Sequence, residues 1–157
     1  MKADHITVEI DGAEELISEL ARIDKDLSGA KALEVYERVV ELVAGDARDR
    51  APHDLGYLTA GIDEEVGLVE GDPAGLVFTD IYYAPFQERG TDPYFPNLEA
   101  LEEWAERHDT TAWVVAMAIL RRGLVPKKFF EEALTENVDD IYSYIGEGVA
   151  EIMEKEY

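Results

Sequence analysis

The sequence predicts an α+β fold: a small antiparallel β-sheet flanked by helices, with a long central helix and a long C-terminal helix. Three observations predict it. Apolar residues recur at helical spacing over residues 30–50. They do so again from Phe130 to Ile152. Between these stretches lie two runs rich in β-branched residues, separated by Gly71-Asp72-Pro73-Ala74-Gly75. A chain of 157 residues with 46% hydrophobic content suits one core, so a single domain is expected.

Taken in order, Ile6, Val8 and Ile10 alternate with polar residues and predict a strand over Ile6–Ile10, closed by Asp11-Gly12. Residues 13–26 predict a helix with Leu16, Ile17, Leu20 and Ile23 on one face. The long helix, about Ala30 to Arg50, carries Leu33, Tyr36, Val39, Val40, Val43 and Ala47, and Pro52 stops it. Ile62, Val66 and Leu68 predict one strand, Gly71–Gly75 the turn, and Leu76–Tyr83 the return strand of an antiparallel hairpin. Asn97 is placed to cap a helix over Leu98–Arg107 that buries Leu98, Leu101, Trp104 and Ala105. Thr110 or Thr111 caps the next, Ala112–Arg122, which Gly123 closes, with Trp113, Ala116, Met117 and Leu120 inward. Pro126 opens one continuous final helix with Phe130, Leu134, Val138, Ile141, Ile145, Val149 and Ile152 on its apolar face.

Charge narrows the class of protein. Asp and Glu number 36 against 14 Lys and Arg, a formal net charge of −22. Such a surface repels itself in dilute buffer, and molar salt, with a screening length of about 3 Å, removes that repulsion. The excess reads as a halophile signature. Two other readings stand beside it: a DNA mimic, which requires the acids on one face, and an ordinary acidic protein. Binding of nucleic acid through a basic patch is disfavoured, since Arg121-Arg122 and Lys127-Lys128 form the one basic knot. The chain has no cysteine, which excludes disulfides, thiol catalysis and cysteine metal sites. The longest apolar run, Ala112–Leu120, is too short to cross a bilayer, and residues 1–11 do not resemble a signal peptide, so a soluble protein without membrane partners is expected.

Catalytic signals are weak. His5, His53 and His108 are scattered, no His pair sits at metal-binding spacing, and Ser18, Ser28 and Ser143 form no nucleophile elbow. No phosphate loop or calcium loop occurs. The expectation is a protein that is not an enzyme and needs no cofactor or metal.

Two segments stand out. In Ala51-Pro52-His53-Asp54-Leu55-Gly56-Tyr57-Leu58, Pro52 ends a helix and Asp54 can accept backbone N–H bonds. Gly56 supplies a positive φ or a close approach, and Leu58 returns to the core. In Tyr82-Tyr83-Ala84-Pro85-Phe86-Gln87-Glu88-Arg89-Gly90-Thr91, a proline at a strand end marks an edge, and aromatics beside an arginine suit the centre of a protein interface. The same aromatics also suit a small core under a loop. The far end of the last helix, Gly146–Tyr157, reads either as a frayed end or as a docking element.

These segments resemble the tail-component, or head–tail joining, proteins of HK97-type tailed viruses. The family shows a long helix, an A-P-x-D-T-G-x-L turn, strands, a Y-Y-A-x-x-x-E-x-G-T segment, helices and a P-F-F-x-x-A close. The first motif is similar to Ala51–Leu58, the second to Tyr82–Thr91, and the third to Pro126-Lys127-Lys128-Phe129-Phe130-Glu131-Glu132-Ala133. Leu101–Ala105 and Ile119–Gly123 follow the same order. Leu55 replaces the usual threonine, Lys127-Lys128 lengthens the third motif, and residues 135–157 fall outside the resemblance as a divergent extension. The resemblance implies a structural protein of the virion neck, made in the host cytoplasm and assembled as a sixfold or twelvefold homo-oligomeric ring. Its neighbours would be the portal adaptor or stopper and the tail tube or terminator, and viral DNA would pass without specific binding. With the charge, it points to a tailed virus of a haloarchaeon. The subunit-interface residues expected on this reading are Tyr82, Tyr83, Phe86, Glu88, Arg89 and Thr91. The structural-turn residues are Pro52, Asp54, Gly56, Leu58 and Gly90. The alternative is an acidic inhibitor or antitoxin-like DNA mimic that occupies a basic host partner.

Overall fold

The computed structural model describes residues 28–154; the expected strand Ile6–Ile10 and helix 13–26 lie outside the described residues. In chain order these residues form α1 (Ser28–Arg50), α2 (Tyr57–Ala60), β1 (Ile62–Val69), β2 (Asp72–Thr79) and α3 (Ala84–Arg89), then α4 (Glu99–Arg107), α5 (Ala112–Arg122), α6 (Phe129–Glu136) and α7 (Val138–Glu154). The class is α+β, with a long central helix, a C-terminal helix and a two-stranded antiparallel sheet. The chain divides into two compact units. One is Met1–Tyr82 with Phe129–Tyr157, and the other is Tyr83–Lys128.

In the first unit α1 is the organising element. It packs on both strands, and also on α6 and α7. Tyr36, Val39, Val40, Val43 and Ala47 are buried as the periodicity predicts. Ala32, Val35 and Ala44 are buried too, because a second side of the helix is covered. The hairpin approaches closely at Gly75, where a Cβ would stand 2.5 Å from Val40 Cγ1. On the other side α7 presents Gly148, whose Cβ would collide with Val35. Arg48 ties α1 to β1 by donating to the Ile62 carbonyl at 2.7 Å and pairing with Glu64.

The hairpin turn differs from the expectation. Val69 pairs with Asp72, so the loop is only Glu70-Gly71, and Asp72–Gly75 belong to β2. Both loop residues have positive φ, 55° and 101°, which matches the right-handed twist of the flanking strands. Pro73 does not break the strand. It stands opposite Leu68, one pair from the turn, in a two-stranded sheet whose strands are both edges, where a missing N–H is tolerated.

The final helix is also corrected: it is two helices. The Asn137 amide donates to the Ala133 carbonyl at 2.8 Å and to Asp46 Oδ2 at 2.8 Å. A side chain that takes a helical carbonyl competes with the backbone ladder, and α6 ends there. Ile141 N then donates to Asn137 O at 2.9 Å and α7 begins. Val138, expected inward, is exposed, while Ile141 and Ile145 are buried.

In the second unit α4 and α5 pack together, with Ala105, Ala116 and Ile119 buried. Both predicted caps form: Asn97 Oδ1 accepts from Glu99 N at 3.0 Å, and Thr111 Oγ1 accepts from Val114 N at 3.4 Å. The inward placement of Trp104, Trp113 and Leu120 is not borne out, for all three are exposed. Small residues fill the seam instead. The Trp104 ring stacks on His108, centroids 4.0 Å apart, and His108 Nδ1 donates to the Trp104 carbonyl at 2.8 Å.

Candidate interaction surface

The strand expected to run to Tyr83 stops at Thr79, and Ile81 N donates to Thr79 Oγ1. The segment beyond is helical. Phe86 N and Gln87 N both donate to the Tyr83 carbonyl, at 3.1 and 3.2 Å. Pro85 therefore does not mark a strand edge. It lies in the first turn of α3, where its fixed φ fits and no N–H is needed.

The helix turns its residues to different fates. Ala84 is fully buried and Glu88 is 7% exposed, whereas Phe86 is 51% exposed and Arg89 is exposed. Tyr82, at the junction of the units, is 82% exposed, and Tyr83 is half-buried. Glu88, expected at the interface, thus lies inside. Thr91 is half-buried, and its Oγ1 accepts from Leu124 N at 3.0 Å.

The end of α3 is held by the chain that leaves α5. Lys127 N and Lys128 N donate to the carbonyls of Gln87 and Glu88, at 2.7 and 3.1 Å. These are helix-end carbonyls with no partner inside a helix of this length. Thr91 N donates to the Leu124 carbonyl at 3.1 Å. Two glycines permit the approach. Gly90 and Gly123 end α3 and α5 with φ 71° each and ψ of −170° and −165°, a region only glycine enters cheaply. A Cβ on Gly123 would stand 1.8 Å from the Thr91 carbonyl oxygen, and one on Gly90 would stand 2.4 Å from the Leu124 oxygen. Sequence reasoning placed Gly123 at a helix end and Gly90 in a turn but missed that each admits the chain beside the other. The shared pattern of arginine then glycine at a helix end was the available signal.

The first turn motif is built as expected at three positions. α1 ends at Arg50, two residues before Pro52. Gly56 has φ 78°, and Leu58 is buried beside Ile62. Asp54 and Leu55 are exposed. His53 Nδ1 donates to the Ala51 carbonyl at 2.7 Å. In the third motif Phe129, Phe130 and Ala133 are all buried, and the two rings touch with centroids 4.7 Å apart. The motif is therefore a core-building one.

Electrostatics is unevenly distributed. Residues 83–128 hold six of the 14 Lys and Arg and seven of the 36 Asp and Glu; the remaining residues hold the other 29 acids and eight bases. Among the described residues, the cations of the first unit, Lys31, Arg38, Arg48 and Arg50, are spent on internal pairs. Arg50 meets Asp46, Glu132 and Glu136 at 2.9, 3.2 and 2.5 Å, and Arg38 meets Glu147 at 2.9 Å while lying over the Tyr144 ring. Hydrogen bonds to Glu136 and Asp46 push the Arg50 pKa further up. Among the described residues no three His, Asp or Glu side chains converge to hold a metal ion, and no helix is long and apolar enough to cross a membrane. No protein-family model, curated protein or solved structure matches the chain.

Proposed function

We propose that this chain is a structural component of a tailed virion, joining head to tail as a subunit of a ring around the DNA channel, and that it works by assembly without catalysis. One observation supports this most directly. In the Tyr82–Thr91 segment, Phe86 and Arg89 face outward on a helix whose Ala84 and Glu88 are buried. An exposed aromatic and an arginine on a firmly anchored element are what a protein interface uses. The interface expected from sequence is accordingly narrowed to Tyr82, Phe86 and Arg89. Glu88 and Thr91 take the role of holding the segment in place.

The reading is tested by electron microscopy of particles from cells infected with the virus that carries Phe86→Ala. Filled heads and separate tails are the expected products, with the variant protein folded. Normal virions from that genome would refute the interface. Tight binding of the purified chain to a basic host protein, with no trace of it in virions, would favour the acidic inhibitor.

A further inference from the structure

Residues 110–130 contain no Asp or Glu, in a chain where these number 36 of 157, and they contain Arg121, Arg122, Lys127 and Lys128. The acid-free stretch includes α5, and α5 is exposed on an apolar side. Trp113 is 57% exposed, and Val114 and Leu120 are exposed as well. At about 100° per residue, Trp113, Val114, Leu120 and Arg121 fall within roughly a third of the helix circumference. The Phe95 ring meets Trp113 edge-on at 6.2 Å and extends this apolar surface. The first unit offers the converse. At the hairpin tip Leu68 and Val69 are about 60% exposed, and Glu65, Glu70 and Asp72 are exposed around them.

We infer that the α5 face binds the β1–β2 hairpin tip of a second copy of this chain. Each surface joins exposed apolar side chains to charge of one sign, and the signs are opposite. Tryptophan with arginine supplies the anchor such contacts depend on. Duplex DNA is the poorer fit, because the centre of the face is apolar and a net charge of −22 repels a polyanion at long range. Because the two surfaces differ, the contact is head-to-tail and propagates to a ring or a filament. The inference goes beyond the connector reading. It concerns residues outside Tyr82–Thr91, and it holds or fails in purified protein whether or not the chain joins heads to tails.

The test is a charge exchange read by sedimentation over a range of protein and KCl concentrations, with circular dichroism confirming that each variant is folded. R121E/R122E and E70K/D72K should each be monomeric where the wild type associates. Mixed in equal amounts they should associate again, since the acidic helix of one then faces the basic tip of the other. Trp113→Ala should weaken wild-type association about tenfold or more. A wild type that stays monomeric throughout overturns the inference, as does association that neither variant alters. Binding of duplex DNA that R121E/R122E abolishes, without self-association, assigns the face to nucleic acid and overturns it equally.

Discussion

Replacing Gly123 with alanine tests the clasp that holds the second unit together. The backbone at Gly123, φ 71° and ψ −165°, costs an L-residue about 1–3 kcal/mol. The added Cβ would also stand 1.8 Å from the Thr91 carbonyl oxygen, a backbone atom that cannot rotate away. The two segments must part, and two hydrogen bonds depend on their approach: Thr91 N to Leu124 O at 3.1 Å and Leu124 N to Thr91 Oγ1 at 3.0 Å. Each contributes about 0.5–1.5 kcal/mol. The total loss is about 2–6 kcal/mol. Both tryptophans, Trp104 and Trp113, lie in Tyr83–Lys128, so their fluorescence reports this unit. Urea unfolding in constant molar KCl, followed by that fluorescence, should show a markedly lower midpoint. Gly146→Ala in α7 of the first unit is the control, since nothing lies within 4 Å of its Cβ position; followed by far-UV circular dichroism, it should stabilise by about 0.5–1 kcal/mol. A Gly123→Ala loss below about 1 kcal/mol would refute the combined strain and clash argument.

Four further outcomes are expected. Gly75→Ala should destabilise by about 1–3 kcal/mol, because its Cβ would stand 2.5 Å from Val40 Cγ1 in the core; Val40→Ala in the same chain should recover part of the loss, measured as a double-mutant cycle. Asn137→Ala should cost about 1–3 kcal/mol in thermal unfolding, since it removes bonds to both Asp46 and Ala133. Hydrogen bonds to Glu151 and Glu34 hold the Lys31 ammonium charged above the usual lysine value of 10.5. That pairing therefore contributes in full below 10.5 and is lost as pH rises through the raised value, so the difference in stability between wild type and Lys31→Met should shrink on alkaline titration. Finally, the urea midpoint of the wild type should rise from dilute buffer to molar KCl, as the repulsion among a net −22 charges is screened; an unchanged midpoint would remove the halophile reading.

Much of the architecture was legible locally. The caps Asn97 and Thr111, the stops at Pro52 and Gly123, and the inner face of α1 each follow from residues within one or two turns. Errors arose where a local signal had two structural readings. Pro85 suits a strand edge and a helix start alike, and the backbone bonds to Tyr83 settle it as the latter. The apolar spacing from Phe130 to Val149 cannot reveal that Asn137 will prefer Asp46, 91 residues earlier, to a continuous helix. Trp104, Trp113 and Leu120 have the hydropathy of core residues, but alanines and Ile119 fill the α4–α5 seam.

The sequence by itself determined the α+β class, the long helices, the hairpin and the acidic surface, because periodicity, turn chemistry and charge are properties of short segments and of composition. Only the tertiary structure decided which carboxylates are spent on internal pairs, which aromatics remain outside, and that Gly90 and Gly123 face each other's backbone across 33 residues. Those outcomes depend on distances between parts of the chain remote in sequence. A glycine that is only permissive in a turn becomes obligatory when a remote backbone oxygen lies 1.8 Å from where its Cβ would be.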